Sequence, residues 1–315
     1  MVRLFLALLL LAFAGAAMAA PRPEPKRIAL SFDDVPRRPG AFLTPDQRTQ
    51  GILSGLAAAD VKQAVFFVTT GNLDKPEGKG GLERIMMYSA GGNLIANHSH
   101  AHRRLSQVSA QEYLEDIDRA AAWLKNRPNS RPWFRYPFLD EGRADKAKRD
   151  SVRAGLAKRG LLNAYVTVDG ADWNLEALTV AASEAGKHMD MKALRELYVE
   201  TMVGAANFYD GLARKALGRS PAHMLLLHET DLAALFLPAL VEALRKDGWE
   251  IITAAEAYAD PIARASPDPP SAQGTRIEAM AWEKGLPAPR WYERENLKVA
   301  NALFAERVLK ETPSP

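Results

Sequence analysis

The sequence predicts an α/β fold, a distorted (β/α)7-type barrel with a helical insertion and a C-terminal extension. Three observations predict it. Seven short apolar runs rich in β-branched or aromatic residues recur along the chain, helix-starting signals fall between them, and the residues able to do chemistry stand at the ends of the runs. Strand and helix in alternation imply a mostly parallel sheet, and closing it into a barrel puts the working groups at the carboxyl ends of the strands. With 315 residues, 47% of them apolar, the chain can bury one large core.

Before the first strand, Met1, Val2 and Arg3 precede an apolar run from Leu4 to Met18, and Ala17-Met18-Ala19 offers a small-x-small cleavage site. Residues 1–20 are therefore expected to be a signal peptide, and the protein to be periplasmic or secreted. The run falls short of the ~20 residues a membrane span needs, so no stable membrane anchor is expected after cleavage. Cysteine is absent, which excludes a lipoprotein anchor, disulfides and thiolate ligands or nucleophiles.

The first strand, 27–32, runs directly into Asp33 and Asp34, two adjacent carboxylates at the rim that diverge and can take different jobs. Taken alone, they also fit a turn with two solvated acids. A helix follows, with Thr44 as its cap, Pro45 at its first position and Gln47 reaching back. The second strand is 64–69. The third, 93–97, ends in His98-Ser99-His100-Ala101-His102, half of the six histidines within five residues. If the segment turns helical, His98 and His102 share a face and can converge on one metal ion, with a pairing through His100 as the alternative. One carboxylate and two imidazoles would leave coordination positions open, as a catalytic site requires.

Ser109 and Glu112 form a capping box for the next helix, along which Tyr113, Leu114, Ile117 and Leu124 recur at helical spacing. Strand 133–138 sets Arg135 among aromatics, so its guanidinium needs a carboxylate, for which Asp33 is the natural candidate. Strand 164–168 leads to Asp169-Gly170-Ala171-Asp172-Trp173, and strand 224–227 ends at His228-Glu229. A carboxylate near His228 would orient it and raise its pKa, which suits a general acid. His188 and His223 have no such context and read as ordinary polar positions. A last helix is expected from about Pro238 to Gly248, before strand 249–252.

Two stretches stand outside this alternation. Residues 175–218 read as a helical insertion, and 261–315 as a proline-rich linker with an amphipathic end containing Trp282, Trp291 and Phe304, leaving 21–260 as the catalytic domain. The 41 basic and 38 acidic residues are spread without a Lys/Arg block, so no nucleic-acid partner is expected. Neither motif nor composition sets the oligomeric state.

In this order the motifs resemble those of the NodB-homology polysaccharide deacetylases, carbohydrate esterase family four, over about Arg27 to Asp260. The resemblance implies Asp33 as catalytic base and Asp34, His98 and His102 as ligands of one divalent metal ion, zinc first, with cobalt or nickel as alternatives. It implies that Arg135 steadies the base, that Phe138 offers a backbone N–H to the oxyanion, that Asp172 tunes His228, and that Trp173 belongs to the substrate site. The implied reaction removes N-acetyl groups from a glycan, peptidoglycan or another N-acetylated polysaccharide. A non-glycan amide, an O-acetyl ester and an inactive glycan-binding relative stay open as alternatives, whereas a two-carboxylate glycosidase would need no clustered histidines. Ser31 and Val35 depart from the family's Thr and Gly, and Val35 is expected to narrow the groove or alter the loop.

Overall fold

The structure, a computed structural model, describes residues 25–311. The segment read as a signal peptide lies outside the described residues. Strand β1 (Lys26–Val35) is followed by α1 (Pro45–Ala58), β2 (Val65–Val68), α2 (Gly81–Ala90), β3 (Leu94–Asn97), α3 (Ala110–Leu124) and β4 (Ser130–Phe134). Next come β5 (Asp140–Arg143), α4 (Lys146–Lys158), β6 (Leu162–Asn163), β7 (Val168–Asp169), α5 (Asp172–Glu184), α6 (Met191–Leu217) and β8 (Ala222–His228). The chain closes with α7 (Asp231–Lys246), β9 (Trp249–Ile251), α8 (Ala254–Tyr258), β10 (Ala272–Gln273), α9 (Arg276–Glu283) and α10 (Leu297–Arg307).

The sheet order β6-β4-β3-β2-β1-β8-β7 is parallel throughout and follows the chain around a barrel of seven strands, with β9 added at the start of β1. The barrel has a seam, because β6 and β7 do not pair. Residues expected as one strand, 164–168, instead cross that seam. The Ala164 N–H still reaches the Phe134 carbonyl and the Thr167 N–H the Met224 carbonyl. Between them the ladder breaks, since the Ala164 carbonyl accepts from Arg135 Nε and the Val166 carbonyl accepts the Arg276 N–H at 2.8 Å. Side-chain and tail donors have replaced the missing neighbour strand.

The capping boxes at Thr44–Gln47 and Ser109–Glu112 start α1 and α3. Helix α7 begins seven residues earlier than its proline suggests, because Thr230 caps it and Glu176 accepts the N–H groups of Asp231 and Leu232, each at 3.2 Å. Pro238 then lies inside the helix and leaves the Ala234 carbonyl without its usual donor. Helix α1 packs closely at this turn through Gly51, where a Cβ would stand 3.1 Å from that of Ala234. Helices α2 and α4 carry no cap signal recognised in the sequence, although Asp145 caps α4.

The insertion 175–218 consists of most of α5 and all of α6. Residues 261–270, expected as a linker, are pinned to the barrel. Pro267 and Pro269 are buried, Arg153 donates to the Pro267 carbonyl at 3.0 Å, and Arg149 donates to the Pro269 carbonyl and pairs with Asp268. Composition foresees no apolar core for such a segment but is blind to carbonyls serving as acceptors. Beyond it β10 pairs with β5, and α10 buries Phe304. No helix among the described residues is long and apolar enough to cross a membrane.

Candidate active site and metal centre

Asp33 and His228 are register partners at the ends of the neighbouring strands β1 and β8. Successive residues of a regular strand face opposite ways, which would separate Asp33 from Asp34. The register with β2 slips between Phe32 and Val35, and Asp34 takes a left-handed backbone with φ of 68°, so both carboxylates reach the same cavity. Aspartate tolerates that conformation better than most residues. Val35, expected to narrow the groove or alter the loop, is fully buried in the core, at the end of the register slip.

Arg135 sits just past β4, fully enclosed, and its guanidinium is saturated. Nη1 reaches the two Asp33 oxygens at 3.0 and 3.1 Å, Nη2 reaches Ser31 Oγ at 3.2 Å and Tyr258 Oη at 2.9 Å, and Nε reaches the Ala164 carbonyl. The serine that replaces threonine keeps the one atom used here. Its own hydroxyl donates to the Leu225 carbonyl at 2.9 Å.

The histidine segment is an irregular loop rather than a helix. Left-handed backbone at Ser99 (φ 66°) and His102 (φ 53°) folds it, Asp116 of α3 accepts the N–H groups of His100 and Ala101, and Ser99 Oγ accepts that of His102 at 2.9 Å. His98 Nδ1 donates to the Arg135 carbonyl at 2.9 Å, which puts its proton there and leaves Nε2 as a lone-pair donor. His100, the alternative ligand, faces away and contacts Thr70 Oγ1 at 3.0 Å and Arg119 Nη2 at 2.7 Å.

One atom each from Asp34, His98 and His102 lies within 4.8 Å of the others. Asp34 Oδ1 is 2.9 Å from His102 Nε2 and 3.4 Å from His98 Nε2, yet this buried oxygen has no properly aligned hydrogen-bond donor. Three potential ligand atoms converging on one point is the arrangement a divalent cation satisfies. Burial works against the Asp34 charge, but His102, His98 and Arg37 outweigh it and hold the carboxyl well below its ordinary range.

Across the cavity, Asp172 is completely buried at the start of α5 and accepts from His228 twice. Burial alone would lower the His228 pKa; the charge and hydrogen bond of Asp172, helped by Asp34, hold it up at about 9. His228 is thus a proton donor at neutral pH. His223, by contrast, is fully buried between Thr167 and Asp210, away from this site.

Asp33, Asp34, His98, His102 and His228 line a cavity of about 1130 Å³ together with Phe138 and Trp173. Sequence reading missed four further polar or charged lining residues, Arg37, Arg104, Gln273 and Glu295. Arg104 lies over the Phe138 ring at 3.9 Å. Gln273 and Glu295 arrive from the tail, where the Thr275–Glu278 capping box of α9 was the readable signal that the segment is ordered. Asp169, at the end of β7, also lines the cavity, and burial raises its pKa to about 6.

Residues 20–157 match the family model described as polysaccharide deacetylase. Among solved structures, a polysaccharide deacetylase from Bacillus cereus aligns with a TM-score of 0.51 at 18% identity, over 72% of this chain and 91% of that one. A family 4 carbohydrate esterase from Streptomyces lividans aligns at 0.47 and 20% identity, over 74% and 95% of the two chains. A peptidoglycan deacetylase from Bacillus subtilis aligns at 0.46 and 20% identity, over 76% and 92%. Likeness at such identities is one of fold, and the first of the three carries it. No curated protein matches the chain.

Proposed function

We propose that the protein, whose residues 20–157 hold Asp33, Asp34, His98 and His102 and match the polysaccharide deacetylase family model, is a metal-dependent hydrolase removing N-acetyl groups from a glycan. The observation that carries the reading is the convergence of Asp34 Oδ1 with two imidazole nitrogens, beside a second carboxylate and a protonated histidine.

Asp34, His98 and His102 would hold the ion, with zinc the first candidate, followed by cobalt or nickel. A divalent metal bound there supplies Lewis-acid polarisation and a lowered pKa for water. Asp33, oriented by Arg135 through both oxygens, accepts the proton that water loses as its oxygen adds to the amide carbonyl. The Phe138 backbone N–H donates to the oxygen on which charge develops. An amine leaves poorly unless protonated, so His228, held by Asp172, delivers a proton to the nitrogen as the C–N bond breaks. Acetate and a free amine result. Trp173 and Phe138 offer faces for the sugar.

The N-terminal pattern of residues 1–20 supports export, which would bring the enzyme to peptidoglycan or another N-acetylated polysaccharide beyond the cytoplasmic membrane. The deciding experiment measures acetate release from peptidoglycan, N-acetylglucosamine oligomers and simple acetyl esters, each with and without a chelator. Release from glycans that a chelator stops and zinc restores is the expected result. Chelator-resistant turnover, or turnover of esters alone, would overturn the reading.

A further inference from the structure

The metal cavity continues into the C-terminal extension. Gln273, Gly274 and Glu295 line it, and the same three residues line an adjoining groove of about 910 Å³ whose other walls include Trp282, Arg290 and Trp291. Four phenylalanine and tryptophan side chains are exposed among the described residues. Three of them, Phe138 (44% exposed), Trp173 (40%) and Trp291 (43%), line this joined cavity, so exposed aromatic surface is concentrated along one path.

Trp291 has no ring or cation partner among the described residues, whereas Arg290 lies over Trp282 at 4.5 Å. The Tyr209 hydroxyl and the Tyr292 N–H both donate to Glu295 Oε1, leaving Oε2 without a hydrogen-bond partner among the described residues. Gly274 has φ of 95°, and a Cβ there would stand 2.6 Å from Glu278 Oε2, so the wall between the two spaces needs glycine. A pyranose has a flat face of C–H groups and a rim of hydroxyls, which suits an open indole flanked by a carboxyl and an amide.

We propose that the groove at Trp291 is a second glycan subsite, built by the C-terminal extension, that seats a sugar of the same chain whose N-acetyl group lies at the metal. The assignment rests on the glycan reading given above. The groove thereby favours long substrates over short ones.

Calorimetric titration of the full chain carrying Asp33→Asn, with N-acetylglucosamine dimer and hexamer as probes, tests it without turnover. The hexamer is expected to bind about tenfold more tightly than the dimer, and Trp291→Ala to abolish that difference while Trp291→Phe keeps most of it. Because Trp291 is exposed, loss of folding is not a concern, and circular dichroism checks it. Hexamer affinity unchanged by Trp291→Ala overturns the subsite alone. Failure of both oligomers to bind overturns the subsite, and only acetate release from peptidoglycan would then keep the glycan reading itself.

Discussion

Asp172 accepts two hydrogen bonds from the same residue, His228, one from Nδ1 at 2.7 Å and one from its backbone N–H at 2.8 Å. Ring and main chain are fixed by a single buried carboxylate, so the orientation and the charge of the imidazole have one cause. The His228 pKa stands at about 9 against an ordinary 6.5, so activity that needs the protonated ring is expected to fall as pH rises through about 9. In Asp172→Asn the alkaline limb should move to lower pH and the rate fall by about a hundredfold or more. The stability this pair contributes is complete below the ordinary histidine range and lost as pH rises through about 9. A pH–rate profile identical to wild type would show that Asp172 has no such role.

Arg135 meets four partners with one guanidinium, which the single ammonium of a lysine cannot reproduce. Arg135→Met leaves the Asp33 charge buried and unpaired, with an expected loss of about 3–5 kcal/mol. Arg135→Lys should fall between the two in stability and still lose most activity. Urea unfolding gives the first quantity and acetate release the second; a well-folded, fully active Arg135→Met would contradict the orientation assigned to Asp33.

His98→Ala and His102→Ala should each lose zinc affinity, measured by competition with a chromophoric chelator. His100→Ala should not, because His100 turns toward Thr70 and Arg119. Zinc at a hundred times its Kd should raise the stability of the wild-type chain by about 2.7 kcal/mol. Asp116→Ala frees two loop N–H groups without touching a ligand and should weaken zinc binding by about 10–100-fold. Equal zinc affinity in His98→Ala and wild type would remove the metal centre from the reading.

Glu295 is desolvated and surrounded by the like charges of Asp169 and Glu278, which raise its pKa to about 9. A carboxyl raised in the folded state costs stability once pH exceeds its unfolded value, and the cost grows until pH passes the folded value. Glu295→Gln keeps the oxygen that Tyr209 and Tyr292 use, so its Tm should match wild type near pH 4 and exceed it increasingly toward pH 9. A Tm difference independent of pH would assign Glu295 another environment.

The catalytic half of the site was legible because each group stands next to a strand whose apolar run ends at it. Asp34, His98, Arg135 and His228 come together once those strands lie parallel, and parallelism follows from the intervening helices. The histidine loop was less legible, since its shape depends on Asp116 and Asn97, polar acceptors that carry no pattern of their own. The seam at 164–167 reads as an ordinary strand because the donors that break it, Arg135 and Arg276, lie far away in sequence. Gln273 and Glu295 were invisible for a related reason. They belong to no motif, and proline-rich sequence around 261–270 reads as linker until the arginines that hold its carbonyls are known.

That seam also decides where this protein can be cut. Arg135, which orients Asp33, closes the opening from within, while the Arg276 N–H reaches the Val166 carbonyl from the tail. Ending the chain at Asp260 would strip one side of the crossing of its donor, beside the very carbonyl that anchors Arg135. A trimmed enzyme that keeps its chemistry must therefore extend past Arg276 into α9, and exchanging tails between related barrels means exchanging the seam contacts with them.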